Sequence, residues 1–447
     1  MTHVGRDNTT TERPNRICVC IISFIIFPVI YLIYEGNSPQ NIFKTPAPAN
    51  HQQTHKACGF PVQSGTMIPV DGTKSYVVTP YVEHRDVAKE VRAISVVLRE
   101  ETANYCCMLC CKGHNFSVAA TRNVHSDHFG FDYGTGDILC PVVNDCDTPE
   151  YVAIYSDAAA SDREWKPTFI PVQNQQPKTS RFNYNFTVCI STMFADYDNV
   201  LQVVQAMEMF RLLGVDRVAL YKTSCSSEMQ KVLDYYESMG FVELVPWPVA
   251  KYIFVSDGWR KSESPGDLHY YGQIPALNDC VYRYMYRSKY VALQDIDEYI
   301  LPLRVENWNQ LLKQLEDEYG TDKGFEFEDH IFPNNVVDGR GEFRPQEWGS
   351  VHGINILEHV LCEPLIPGSF NNIKVIANPR LLFEVTVHGF LKTQSGSVPV
   401  PAEVAHLYHI RRPSNTRLTK AQLIRDVRLR HYAPRLIPAV TEVLKKL

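Results

Sequence analysis

Hydrophobic positions fall into three regimes along this chain. The first, residues 17–34, is an uncharged apolar run of 18 residues in which Ser23 is the one polar side chain. As a helix it would reach roughly 27 Å, enough for the hydrocarbon core of a bilayer, where Pro28 is tolerated. Arg6, Arg13 and Arg16 precede the run, Glu35 is the first charge after it, and no small-residue cleavage site follows. The expectation is a signal-anchor at 17–36, a cytoplasmic tail at 1–16 and a lumenal remainder, which is a single-pass type II topology. Residues 37–75 are rich in Pro, Asn, Gln and Gly, lack periodicity, and read as a stem.

In the second regime short β-type runs recur between turn residues, at 76–78, 93–98, 116–118 and 151–155, with no helix between them. They predict a small all-β, sandwich-like accessory domain over 76–172, a candidate carbohydrate-binding module. From Arg181 the pattern alternates. Residues 186–194 read as a buried strand. Val200, Val204, Met207 and Phe210 are spaced for a helix that Gly214 stops. Residues 217–221 and 241–245 are strands flanking a helix with a Ser227/Gln230 capping box, Pro275 suits the first turn of a further helix, and 290–294 is a strand running into Asp295. Strands alternating with helices predict an α/β domain over 181–412 on a parallel sheet, whose ligands bind beyond the carboxyl ends of the strands. The tail, 413–447, sets Arg417, Lys420, Arg425, Arg428 and Arg430 around Leu418, Leu423 and Val427 and reads as an amphipathic helix packed on that domain.

Composition changes this picture little. The 447 residues are 45% hydrophobic and 21% charged, as in a globular protein, and a formal net charge of −6 gives no electrostatic reason to bind nucleic acid. The cysteines add a compartment, because eleven of the 13 lie beyond the apolar run, where an oxidising lumen favours disulfides. Their odd number leaves a thiol free or paired between chains, as in a homo-oligomer. Cys107-x2-Cys110 with His114 has metal-ligand spacing, but no second such pair follows at suitable spacing, so disulfides are expected there too. Sequons at Asn115 and Asn185 fit lumenal exposure.

The chemistry concentrates where the 290–294 strand ends. Asp295 and Asp297, carboxylates on alternate positions, suit a hard divalent cation, Mn2+ or Mg2+, which completes its shell with water and substrate phosphates. On an extended segment the two side chains point to one side, so one can hold the metal while the other orients metal-bound water or ribose. Such an ion stabilises a nucleoside diphosphate as it leaves, without a proton. An anchored lumenal protein with this motif suggests a Golgi glycosyltransferase using a nucleotide sugar. A further ligand from far along the chain is expected at His409, ahead of His388 and His406, because Arg411 and Arg412 follow it and could meet phosphate oxygens. The base for an acceptor hydroxyl stays open among Glu326, Glu328, Asp329 and Glu358.

Three segments, Tyr271-Gly272-Gln273, Leu277-Asn278-Asp279-Cys280 and the block from Ser288 to Pro302, together resemble the core of glycosyltransferase family 92. Ala195-Asp196-Tyr197-Asp198-Asn199 and His409-Ile410-Arg411 look similar to that family as well. The likeness spans 186–412, and a β-rich domain ahead of the catalytic one is also familiar there. It implies a GT-A, Rossmann-like fold, UDP-galactose as donor, Mn2+, and inversion to a β-galactoside, of β-1,4 type, on a glycan or glycoprotein. With it, Tyr221, Gln273, Asp279, Asp295 and Arg411 are the expected donor-binding residues, and Asp295, Asp297 and His409 the metal ligands. Gln294 stands where an apolar residue is usual, and Ile410 where tyrosine commonly follows the histidine.

An aspartate-nucleophile phosphatase also places Asp-x-Asp after an apolar strand, but carries Thr or Val where this chain has Tyr299. An EF-hand loop fails for want of a glycine at its sixth position. The rival from another class is a lumenal sugar-binding or adhesion protein that keeps a transferase fold without its activity.

Overall fold

A computed structural model of the chain describes residues 56–85, 89–177, 180–339, 341–366, 368 and 371–447. The expected tail at 1–16, anchor at 17–36 and stem up to residue 55 lie outside these. Among the described residues no helix is long and apolar enough to cross a membrane. The remainder of the expected stem is folded. Lys56–Ala57 pairs with Phe60–Pro61, Ile68–Pro69 joins the strand Tyr76–Glu83, and Cys58 is bonded to Cys110. Its polar composition hid short strands held by that disulfide and by the sheet behind them.

The β-rich part is a two-sheet stack. One sheet runs Ile68–Pro69, Tyr76–Glu83, Glu90–Leu98, Tyr133–Pro141, Thr121–Val124, and the other Ile170–Pro171, Tyr151–Ser156, Tyr105–Cys111, His114–Ala119. Val82, Val91, Ala93, Leu109, Val152 and Ile154 fill the space between them. Cys107–Cys140 ties one sheet to the other, and Cys111–Cys146 adds a second staple. Such bonds stabilise mainly by restricting the unfolded chain, which suits a core this small.

In the second part Val242–Pro246, Arg217–Lys222, Tyr184–Met193 and Ser288–Leu293 lie side by side and parallel, as the alternation predicts. Beyond them the direction changes. Ile373–Ala377 pairs antiparallel with Ser288–Leu293, Gly324–Pro333 antiparallel with that strand, Ala405–Arg411 parallel with Gly324–Pro333, and Glu298–Pro302 antiparallel at the edge. The sheet is therefore mixed, since the strand–helix alternation covers only its first half. The helix Val200–Leu213 ends at Gly214 in the left-handed conformation, as expected. It is buried nearly all round because the C-terminal helix Ala433–Leu444 packs on its far side. The helix Ser227–Ser238 is capped by Ser226, one residue before the predicted position, whose side chain accepts from the Met229 N–H.

The expected basic amphipathic helix does not form over 417–430. That stretch is turns, 3-10 segments and a two-residue strand, because its arginines are taken up by oxygens of the body. Arg425 and Arg430 pair with Asp338, and Arg428 donates to the carbonyls of Pro302 and Val305. The described residues form one compact unit, and the two parts share a core. Val78, Tyr81, Ile94 and Val96 pack in one cluster with Trp247, Val281 and Tyr282.

Candidate active site

Ser288–Leu293 and the edge strand Glu298–Pro302 are joined by a tight turn holding Asp295, Ile296 and Asp297. The turn is held by Gln294 Nε2, which donates to the Glu298 carbonyl at 2.8 Å, and by Asp295 N–H, which donates to Glu298 Oε2 at 2.7 Å. It is this turn, rather than strand alternation, that brings the two half-buried aspartates together, and they face different partners. Asp295 Oδ2 accepts from Lys374 Nζ at 2.9 Å and Oδ1 from Ser191 Oγ at 3.3 Å. Gln273 supports that arrangement, since its Nε2 donates to Ser191 Oγ at 3.0 Å and reaches Asp295 Oδ1 at 3.5 Å. Asp297 Oδ1 lies 3.7 Å from His409 Nε2. The other ring nitrogen, Nδ1, lies 3.2 Å from Asp329 Oδ2 and 3.4 Å from Glu298 Oε1. Strand register sets this contact, with His409 opposite Glu298 on one side and Ile331 on the other.

Electrostatics follow from this crowding. Burial pushes the Asp295 carboxyl up, but the Lys374 ammonium outweighs it and holds the group below the usual range. For Asp297 burial outweighs the cations near it. Burial raises it and Asp295 adds to the rise, against the pull of His409. Glu298, buried near Asp295 and Asp297, is raised to about 7. Burial alone would lower His409, yet Glu298, Asp297 and Asp329 lift it to about 9. Lys374 bridges Asp295 and Glu298, the latter at 3.3 Å, and is 97% buried. His388, lowered to about 4 by burial and by Lys374, completes the surroundings.

Two segments of unusual backbone flank the cluster. Ala195 and Asp196 have φ of 55° and 48°, and Tyr270, Tyr271 and Gly272 have φ of 36°, 51° and 70°. Left-handed conformations cost about 1–3 kcal/mol for residues with a side chain and collect at functional sites. The two segments are joined by Phe194, which stacks on Tyr271 at 4.1 Å and meets Tyr270 edge-on. The Tyr270 hydroxyl is raised by burial, then by Asp295 and Asp297, against the pull of Arg411. Tyr197 is also raised, by burial and then by Asp297.

Of the expected residues, the structure gathers Asp295, Asp297, His409, Asp329, Gln273 and Arg411. It does not bring Tyr221 and Asp279 there. Asp279 is buried in the seam with the β-rich part, accepting from Tyr81 at 2.7 Å, Tyr221 at 2.5 Å and Arg283 at 2.9 Å, so both side chains are spent on structure. Glu328 points away from Asp329 along the same strand and lies 3.6 Å from His330. Glu326 accepts from Ser397, and Glu358 sits on a 3-10 turn whose carbonyl accepts from Asp338 N–H. Sequence reasoning missed Lys374, Glu298 and Ser191. A signal existed for Lys374, the one charge in the apolar strand Ile373–Ala377.

The profile of Glycosyltransferase family 92 matches residues 184–442, more than half of the chain. Among curated proteins the chain is similar to "Glycosyltransferase family 92 protein F13G3.3" of Caenorhabditis elegans, with 28% identity over 135 residues, 30% of this chain and 26% of that protein. It is similar to "Beta-1,4-galactosyltransferase galt-1" of the same organism, with 23% identity over 124 residues, 27% of this chain and 26% of the other. It also resembles "Galactan beta-1,4-galactosyltransferase GALS1" of Arabidopsis thaliana, with 28% identity over 126 residues, 28% of this chain and 22% of that one. The matches thus span about a quarter of the length of these relatives.

Proposed function

The chain belongs to glycosyltransferase family 92, and we propose that it transfers galactose from UDP-galactose, with inversion, to a glycan or glycoprotein acceptor, forming a β-1,4 linkage. The observation that carries this reading is the His409–Asp297 pair, backed on the far side of the imidazole by Asp329. With Asp329 accepting from Nδ1–H, Nε2 faces the Asp297 carboxylate across 3.7 Å, where a divalent ion would displace the proton that Nε2 otherwise carries and be shared by the two groups. The donor set fits a hard divalent ion. Asp295, Asp297, Glu298 and Asp329 outnumber Lys374 and His409, and Asp329 Oδ1 and Gln294 Oε1 are buried without a hydrogen-bond partner. Asp297 and His409 would hold Mn2+ or Mg2+, with Asp295 beside them. When bound, the ion supplies Lewis-acid stabilisation of the departing diphosphate.

The chain's own residues then have distinct tasks. Lys374, Ser191 and Gln273 fix Asp295 as an ionised acceptor. Asp329 is 1% exposed and positions His409 rather than meeting an acceptor hydroxyl. Arg411, close enough to be felt by Tyr270, is the cation we assign to phosphate oxygens of the donor. Four disulfides and the apolar run at 17–34 support a Golgi-lumenal, type II placement. The test is UDP release from UDP-galactose by the full chain with Mn2+, with a panel of glycan acceptors. Acceptor-dependent release abolished by a chelator is expected. No release of UDP or transfer with any acceptor would favour the non-catalytic sugar-binding reading.

A further inference from the structure

A second cluster of ligating side chains lies away from this site, where the β-rich part meets the hairpin Leu382–Thr386/Gly389–Thr393. The pairing of Thr121–Val124 with Tyr133–Pro141 puts Asn123 opposite Asp137, and His125 N–H bonds to the Thr135 carbonyl. Residues opposite one another or two apart share a face, so Asn123, His125, Thr135 and Asp137 point the same way. The hairpin's Glu384 meets that face, its Oε1 accepting from Asn123 Nδ2 at 3.0 Å.

Hydrogen bonding there is incomplete. His125 is 1% exposed; its Nε2 lies 3.2 Å from Asp137 Oδ2 but out of hydrogen-bond alignment, and its Nδ1 has no hydrogen-bond partner, nor do Thr135 Oγ1 or Asp137 Oδ1. Three buried atoms without a partner are thus gathered at one place. Leaving a buried polar atom unpaired is costly, so three together beside a carboxylate–imidazole pair point to a missing ligand. One atom each from His125, Asp137 and Glu384 lie within 4.8 Å of one another. Charge agrees. Glu83, Glu90 and Asp137 stand around Arg85 and Arg92, Glu384 adds a fourth carboxylate beside Asn123, and Arg92 Nη1 lies 2.6 Å from Asp137 Oδ2 with the opposite carboxylate oxygen left open. Two negative charges remain for a divalent ion.

We propose that His125, Asp137 and Glu384 bind a structural divalent transition-metal ion, of which zinc is the best match. One imidazole and two carboxylates are ligands zinc takes at about 2.0–2.2 Å, and the half-exposed Glu384 can close the remaining distance. Asn123 and Arg92 hold the outer carboxylate oxygens, as outer-shell partners do. The ion staples the β-rich part to a hairpin that Asn278 also grips, through hydrogen bonds with both the Val385 carbonyl and N–H. The turn of that hairpin carries His388 to the catalytic cluster.

The test uses the full chain as purified, its Asp297→Asn variant, which weakens the catalytic metal site, and Glu384→Gln and His125→Asn placed on that background. After dialysis against metal-free buffer and titration with zinc alone, Asp297→Asn is expected to hold one zinc per chain. Its unfolding midpoint should rise with zinc. Both added substitutions should weaken zinc binding tenfold or more and remove that rise. Cobalt(II) titrated into Asp297→Asn should give a visible d–d spectrum, which decides the matter even where the added variants fail to fold. Absence of stoichiometric zinc and of a cobalt spectrum in Asp297→Asn, or undiminished zinc in folded Glu384→Gln, overturns the proposal.

Discussion

At the scale of single residues, the site is built from charges that no local pattern could pair. Asp295 and Asp297 were legible because an apolar strand ends in two acids, and His409 because arginines follow it. Lys374 was not, since its partner Asp295 lies 79 positions away and only the reversed strand brings them into contact. Asp329 was legible as an acid but not in its orientation, which depends on register with Ala405–Arg411. Its substitution separates positioning from proton transfer. Asp329→Asn should weaken Mn2+ activation about 10–100-fold, with much of kcat restored at saturating Mn2+, as for loss of an outer-shell partner. Loss of kcat that no Mn2+ concentration restores would make Asp329 a base instead. Lys374→Met leaves Asp295 and Glu298 buried without their cation, which costs about 3–5 kcal/mol, read as a fall in the urea midpoint. Elsewhere Glu243 is held low despite burial, by the Tyr284 hydroxyl and by Arg287, Arg283 and Arg217. A depressed carboxylate contributes stability that is fully present above its unfolded value of about 4.5 and lost as pH falls through the folded one. Glu243→Gln should therefore be less stable than the parent at pH 7, with the two curves converging in denaturant titrations as pH falls from 4.5 through the lower folded value.

At the scale of elements, the helices and strands expected in the α/β part came through within a residue or two, whereas in the β-rich part 76–78 proved to be Tyr76–Glu83 and the strands Tyr105–Cys111, Thr121–Val124 and Tyr133–Pro141 were not expected. A turn stands where an extended Asp-x-Asp was expected, and arginines that bind body oxygens replace the expected basic helix. The left-handed run Tyr270, Tyr271, Gly272 gave no warning in the sequence beyond its glycine, because tyrosine disfavours that conformation. Phe194 stacking on Tyr271 helps hold the run against its own preference. A strained element beside a site predicts a split between stability and activity. Tyr270→Phe keeps the ring that Phe194 meets edge-on and should leave the melting temperature nearly level, while kcat/KM falls at least tenfold as the hydroxyl near Asp295 and Asp297 is lost. A fall in melting temperature with unchanged kcat/KM would mean that the hydroxyl is structural and no more.

At the scale of the whole molecule, the sequence suggested an accessory β-rich domain set apart by a linker, and the structure shows a shared core. The difference lies in faces that alternation alone cannot assign, since Val78, Tyr81, Ile94 and Val96 look like ordinary sandwich residues until Trp247 and Val281 are placed against them. Removing residues 76–172 would strip four buried side chains from that cluster, each worth about 1.5–3 kcal/mol, a sum comparable to the entire stability of a typical domain. It would also open the seam in which Asp279 binds Tyr81, Tyr221 and Arg283. The Cys189–Cys280 disulfide, internal to the remaining part, restricts its unfolded chain but covers none of this surface. The truncated chain should therefore aggregate on expression rather than act as a smaller transferase. Tyr81→Phe tests the seam more gently. Asp279 keeps two of its three partners, so a loss of about 1–3 kcal/mol in the intact chain is expected, with UDP release nearly unchanged. A soluble, monomeric chain lacking 76–172 that still turned over donor at the parental rate would show that the shared core is dispensable and that the β-rich part is an appendage after all.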